Sequence, residues 1–146
     1  MSIPQRRKLT SALKTLLEEK TGRPVGVASA PRNATNNQEE LPYIVIYPIS
    51  GTEYSGSAFC GPQEDVRFDY QIDSHGKRDD QAEWLADLVR ETLINRNGYG
   101  NLENKLSFPN HSVMDQEVVG PTGKLDNVGQ IWTVKETFGF TVTSRI

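Results

Sequence analysis

The sequence predicts an α+β fold in which two helices pack on one face of a mainly antiparallel or mixed β-sheet, with long exposed loops between the elements. Two segments have apolar residues at helical spacing, and several others alternate apolar with polar residues or are rich in β-branched and aromatic residues. These segments occur in the order helix, strands, helix, strands, with no internal repeat. An amphipathic helix must bury its apolar stripe, so the strands are expected to form the sheet that the two helices cover.

The first helix is predicted over residues 4–20. Its stripe consists of Leu9, Ala12, Leu13, Leu16 and Leu17. Lys20 suits the negative end of the helix dipole, and Gly22 followed by Pro24 ends the helix.

The second helix is predicted to be capped by Asp79 or Asp80 and to end at residues 95–98. Asp80 and Glu83 have the spacing of a capping box. The apolar stripe consists of Ala82, Leu85, Leu88, Val89 and Leu93, with Trp84 beside it.

Strands are predicted at residues 25–28, 42–48, 65–74, 113–119 and 131–143. The third alternates throughout, which is typical of a strand with one buried face, and a turn is expected at His75 and Gly76. Residues 49–63 are glycine-rich and predict either a β-hairpin excursion or a long mobile loop. Residues 120–129 predict a turn-rich link. Glu136 interrupts the apolar face of the last strand, so a bulge or break is expected there.

The composition narrows the class of protein. With 146 residues the chain is expected to form a single domain over residues 1–146. It holds no apolar run near the 20 or so residues that a membrane-spanning helix needs, and no apolar run follows the basic residues near its start, so neither a membrane span nor a secretory signal is expected. Its one cysteine, Cys60, predicts maturation in a reducing cytosol. A formal charge of −3 argues against a general nucleic-acid binder.

The sequence contains no convincing set of catalytic, cofactor-binding or metal-binding residues, so a non-enzymatic protein is expected. His75 and His111 do not have metal-ligand spacing from each other or from Cys60. Ser74, His75 and Asp79 resemble turn residues more than a catalytic triad. The glycines at positions 56 and 61 have phosphate-loop spacing, but the lysine that such a loop requires is absent.

One enzymatic alternative stays open. Asp79, Asp80 and Glu83 could hold Mg²⁺ in a small nuclease, whereas the simpler interpretation is a helix N-terminus that favours negative charge.

Two segments are interpreted as surfaces for contact with other protein chains. The first is the polar segment 31–40, represented by Arg32, Asn36 and Asn37. The second is the excursion that carries the aromatic residues Tyr54 and Phe59, which lie outside every periodic core stripe.

The segment from Tyr43 to Leu93 carries a family resemblance. It contains the run YIVIYP, a Gly/Ser/Tyr-rich excursion, the alternating strand that leads into Ser-His-Gly, and the helix DQAEWLADLVR. This pattern resembles the tail terminator (tail completion) proteins of long-tailed, siphophage-type bacteriophages, especially those that infect actinobacteria. Outside that segment, only the length, the order of elements and the pattern of the last strand agree.

The resemblance implies a structural protein of the virion that forms a homohexameric ring at the head-proximal end of the tail. Such a ring caps the tail tube, stops its polymerisation and joins it to the stopper protein of the head. The implied partners are other copies of the chain, the major tail tube protein and the stopper. Phage DNA would pass through the lumen without specific binding, and no membrane would be involved. Assembly would take place in the host cytoplasm. The alternatives are a head-completion or minor tail protein and, with less support, the Mg²⁺-dependent nuclease.

Overall fold

The computed structural model describes residues 5–54 and 65–144, and within them it shows two helices and one six-stranded sheet. The strand order is β1-β2-β3-β6-β5-β4; β1 runs parallel to β2, and every other neighbouring pair is antiparallel. Neither helix in this part of the chain is long and apolar enough to cross a membrane. The elements are α1 (Arg6–Thr21), β1 (Val25–Val27), β2 (Tyr43–Tyr54), β3 (Asp65–Gly76), α2 (Asp79–Ile94), β4 (Ser107–Phe108), β5 (His111–Val128) and β6 (Ile131–Ser144).

Both helices pack on the same face of the sheet and enclose the main core, which confirms the predicted fold class. α1 contributes three fully buried leucines, and α2 packs chiefly on β3, β5 and β6. The core members are Leu9, Leu13 and Leu17 of α1, Leu85, Val89 and Leu93 of α2, and sheet residues that include Ile44, Tyr70, Ile72, Phe138 and Phe140. In α2, Leu88 is only half-buried and Trp84 is 49% exposed, whereas Ala86 and Thr92 are buried, so the buried stripe is shifted around the helix from the one that the sequence predicts.

The predicted end of the first helix is confirmed in detail. Gly22 adopts a left-handed conformation (φ 69°), and its N–H donates to the Glu18 carbonyl at 3.0 Å. A glycine adopts this conformation without the steric cost that a side chain imposes, so the local sequence alone determines where α1 ends.

α2 ends where predicted, at Ile94, but it already includes Asp79 and Asp80, so the predicted cap is wrong. The N-cap residue is Arg78, which makes no side-chain capping bond, and Asp79 only accepts a hydrogen bond from the Asp80 N–H. Instead, the side chain of Gln81 reaches back and accepts the Lys77 N–H at 2.7 Å. The glutamine therefore satisfies a backbone donor just before the helix, and neither Asp79 nor Asp80 caps it.

The predicted turn at His75 and Gly76 is also wrong, because β3 continues through both residues. His75 pairs with Tyr43 on one side and Thr133 on the other. A Cβ at Gly76 would lie 2.7 Å from the backbone nitrogen of Ala82. The glycine is needed for the close approach of α2 to the sheet rather than for a turn.

β2 is longer than predicted and runs to Tyr54, which pairs with Asp65 at the start of β3. Its register shifts between Pro48 and Ser50. Of the two interpretations of residues 49–63, the hairpin is therefore correct for residues 49–54, and residues 55–64 lie outside the described part of the chain.

The prediction of a turn-rich link at residues 120–129 is also wrong. β5 extends to Val128, with a register shift between Val119 and Lys124. This irregularity lies opposite Glu136, whereas β6 keeps a regular register against β3 throughout. The expected bulge is thus found beside Glu136 but in the neighbouring strand. Gly123 permits the close approach of β5 to β6 at this point, since a Cβ there would lie 2.2 Å from the Lys135 carbonyl oxygen.

Candidate assembly surfaces

The face of the sheet opposite the helices carries charged side chains tied together across three strands. Arg67 of β3 contacts Asp69 through Nε at 3.1 Å and Glu117 of β5 through Nη1 at 2.8 Å. The strand between them, β6, has Gly139 at this level, and a Cβ there would lie 2.8 Å from Arg67 Nη2. Gly139 therefore allows the guanidinium of Arg67 to lie flat across β6 and reach Glu117.

A second polar group lies on the same face at the other end of the sheet. The rings of Tyr43 and His75 have centroids 5.2 Å apart, and His75 Nδ1 is 2.7 Å from the Thr133 hydroxyl. The Tyr43 hydroxyl accepts a hydrogen bond from Gln38 Nε2 at 3.1 Å, which connects this second polar group to the segment 31–40.

Burial shifts the pKa values of the ionisable side chains around His75. Asp73 is 4% exposed, and removal from water raises the pKa of its carboxyl, a shift that its hydrogen bond from Gln71 partly opposes. Burial lowers the pKa of His75, and the nearby Asp73 carboxylate partly opposes that shift. Burial also raises the pKa of Tyr47, an effect that Asp73 strengthens. These groups are therefore held toward their neutral forms.

The predicted contact residues of the segment 31–40 are brought together in one tight, exposed turn. Asn33 Oδ1 accepts from the N–H groups of Thr35 and Asn37, both at 3.0 Å, and from the Thr35 hydroxyl at 2.7 Å. Arg32 Nη1 donates to the Asn36 carbonyl at 2.9 Å, and Asn36 has a positive φ of 62°. Arg32 is therefore bonded within its own turn rather than extended as a free arm.

Residues 95–103 form a second turn with the same bonding, which the sequence analysis missed. Asn97 Oδ1 accepts from the N–H groups of Tyr99 at 2.8 Å and Asn101 at 3.1 Å. Arg96 Nη1 donates to the Gly100 carbonyl at 2.9 Å, and Gly100 has a positive φ of 82°. The shared signal in the sequence is Arg-Asn, two variable residues, Asn or Gly, then Asn, at residues 32–37 and 96–101. We call these the two Arg-Asn turns.

The two turns differ in what they present. The second carries Tyr99, which is 92% exposed, and it is fixed to the sheet by an ion pair between Arg96 and Asp115 of β5 at 2.9 Å. A rigid turn with an exposed aromatic side chain loses little conformational freedom on binding and is a suitable anchor for another protein.

The other predicted contact residues lie at or beyond the limit of the described structure. Tyr54 is the last residue of β2, paired with Asp65, and its side chain is outside the described part. Phe59 lies wholly outside it. Their assignment to an assembly surface stays a prediction.

The residues considered for catalysis are not assembled into a site. Asp79, Asp80 and Glu83 are all exposed at the start of α2, where Asp80 pairs with Arg78 at 3.2 Å. Ser74 and His75 are adjacent in β3 and so point to opposite faces of the sheet. Among residues 5–54 and 65–144, no group of three or more His, Cys, Asp or Glu side chains is placed to hold a metal ion.

Comparison with known proteins shows a likeness to solved structures but not to any protein family. No protein-family model matches the sequence, and no curated protein matches it. Among solved structures, a chain from the virion of a native gene transfer agent particle matches with a TM-score of 0.69 at 14% identity, covering 98% of this chain and 100% of that one. A second solved chain has a TM-score of only 0.48 at 18% identity, covering 94% and 92%. At this identity, the first match shows that the two chains share a fold over almost their whole lengths.

Proposed function

We propose that this chain is a tail terminator, a structural virion protein of one domain over residues 1–146 that forms a hexameric ring on the head-proximal end of a phage-type tail tube. The observation that carries the proposal is the full-length fold match to a chain of a gene transfer agent virion. The resemblance of residues 43–93 to tail terminators supports the same conclusion independently of the structure.

The proposed mechanism is geometric rather than catalytic. One face of the ring matches the last ring of tube subunits, and the other presents a different surface to the stopper protein of the head. Tube growth stops because the exposed face no longer resembles a tube subunit. A ring of this kind requires head-to-tail contacts that close on themselves.

The charge of the chain fits a lumen through which DNA passes freely. At −3 for each copy, a hexamer carries a formal charge of −18. A net negative ring repels the phosphate backbone, so the DNA is conducted without specific binding.

The direct test is deletion of the gene in the phage or gene-transfer element that encodes it. Without a cap, tube subunits continue to add, so the expected products are filled heads without tails together with separate tubes of uncontrolled length. Purified protein added to the deletion lysate should restore joining to tubes of normal length. Normal particles from the deletion strain would refute the proposal.

The same assay separates the terminator from its alternatives. The virion match does not distinguish positions along the particle, so a head-completion or minor tail protein is the second candidate. It predicts tails of normal length that fail to join heads, or tails with a local defect. For the nuclease alternative, the triple variant Asp79→Asn, Asp80→Asn, Glu83→Gln is decisive: a folded variant that still rescues joining excludes it.

A further inference from the structure

Two strand edges of the sheet are only partly covered by the short outer strands. β1 pairs with β2 at Ile44–Ile46 alone, and β4 pairs with β5 at His111 and Ser112 alone. In the described part of the chain, residues 47–54 of β2 and 113–128 of β5 therefore have a paired strand on one side only. Such edges offer backbone N–H and C=O groups to another chain.

Register shifts limit each edge to a short regular stretch. On β2 the shift between Pro48 and Ser50 leaves residues 50–54 regular. On β5 the shifts on either side of residues 115–119 bound a regular stretch between them. Each stretch has five residues, and the two overlap at three levels of the sheet: through β3 and β6, Ser50 lies level with Glu117 and Thr52 with Asp115.

The β5 stretch is held in place by three consecutive side chains. Asp115 pairs with Arg96, and Glu117 pairs with Arg67. Between them Gln116, 1% exposed, accepts the Leu106 N–H at 2.8 Å and donates to the Leu93 carbonyl at 2.7 Å. An edge fixed in this way needs little further ordering when another strand pairs with it.

We propose that residues 115–119 of β5 in one copy pair antiparallel with residues 50–54 of β2 in the next copy. The strands β2, β3, β6 and β5 alternate in direction, so β2 and β5 run in opposite directions. Placing the next copy in the same orientation beside β5 therefore continues the antiparallel ladder. The contact is head-to-tail, as ring closure requires, and the register shifts confine it to one short stretch instead of an open-ended edge. This inference rests on the proposed ring.

The test is disulfide cross-linking of the purified full-length chain. Ile49, which is 51% exposed beside the β2 stretch, is replaced by cysteine in a Cys60→Ser background. It is combined with Val119→Cys, which the proposed pairing places next to it, and separately with Met114→Cys, five residues further along β5, as a control for the register. Within one copy β2 and β5 are separated by β3 and β6, which places the two strands roughly 14 Å apart, too far for an internal disulfide. The control pair joins Ile49→Cys with Trp84→Cys on α2.

Under mild oxidation, the Ile49/Val119 pair should give a non-reducing ladder of up to six covalently joined copies, and the pairs of Ile49 with Met114 and with Trp84 should give none. A hexamer by native mass whose cysteines all react with maleimide, yet which forms no cross-link between positions 49 and 119, would overturn the edge pairing while leaving the ring intact. Cross-linked dimers or open polymers without a six-copy species would retain the edge pairing and refute the ring. If neither cross-links nor hexamers form, alone or on added tail tubes, both proposals fail.

Discussion

At the scale of single residues, Glu136 interrupts the apolar face of β6, and an ion pair with Arg90 compensates its charge. It lies on the apolar face of β6, where its side chain is only 6% exposed, and contacts Arg90 of α2 at 2.5 Å. Arg90 itself is about one-third exposed at 32%, so its charge is partly solvated while that of Glu136 depends on the pair. A buried carboxylate without such a partner is strongly destabilising.

Replacing Arg90 with methionine should therefore lower the free energy of unfolding by about 3 kcal/mol, because it leaves the Glu136 carboxylate buried and unpaired. Adding Glu136→Leu should recover most of this loss, since the second change removes the charge. Urea unfolding of the single and double variants measures both values. Equal stability of wild type and Arg90→Met would show that solvent, not Arg90, satisfies Glu136.

His75 gives a residue-scale prediction about pH. Burial lowers its folded-state pKa below the ordinary 6.5, so the unfolded chain takes up a proton first as the pH falls. The stability contribution of neutral His75 is complete above pH 6.5 and is lost as the pH falls from 6.5 through the lower folded-state value. Asp73 acts in the opposite sense, because its raised pKa makes protonation favour the folded state as the pH falls.

The free energy of unfolding should therefore decrease between pH 7 and 5.5 in the wild type, and His75→Gln should flatten that decrease. Denaturant titrations at a series of pH values provide the measurement. An unchanged slope in His75→Gln would mean that other groups cause the loss.

At the scale of elements, the two Arg-Asn turns are rigid because one asparagine side chain serves several backbone donors in each. In the second turn Asn97 organises the loop that presents Tyr99. The turn is therefore a formed structural unit rather than a connection that becomes ordered on binding.

Asn97→Ala should speed amide exchange at Tyr99 and Asn101 several-fold or more, because each amide loses its acceptor; a net loss of about 1 kcal/mol for each bond corresponds to roughly fivefold. Asn97→Asp keeps an acceptor oxygen and should preserve protection. The equivalent amides of the first turn, at Thr35 and Asn37, serve as an internal control and should not change. Unaltered exchange at Tyr99 in Asn97→Ala would show that the backbone alone holds the turn.

At the scale of the whole molecule, residues 5–54 and 65–144 place both helices on one face of the sheet and leave two of its edges only partly paired. In the proposed ring, core formation and assembly therefore use different parts of the chain. Changes at the hairpin between β2 and β3 should affect assembly without unfolding the subunit.

The double variant Tyr54→Ser, Phe59→Ser should keep the thermal midpoint of the isolated subunit within a few degrees and should fail to enter tails. The expectation follows from the position of both residues outside the periodic core stripes. Tyr99→Ser, which removes an aromatic side chain that is 92% exposed, is the matched stability control. If the double variant unfolds while Tyr99→Ser does not, the two aromatic residues belong to the core.

The sequence by itself determined the two helices, their buried faces and the end of α1 at Gly22, because the repeat of apolar residues and a left-handed glycine are local properties. It also predicted the class of fold. It could not determine that β3 continues through His75 or that β5 extends to Val128, since strand length depends on pairing with residues far away in the chain.

For the candidate assembly surfaces, too, the sequence predicted one part and the tertiary structure decided the rest. The sequence located Arg32, Asn36 and Asn37 in an exposed segment, but only the tertiary structure showed them bonded into one turn and revealed its counterpart at Tyr99. The partner of Glu136 and the free edges of β2 and β5 were likewise decided by packing. An ion pair between a helix and a strand, and an edge left without a neighbour, exist only once the whole sheet is in place.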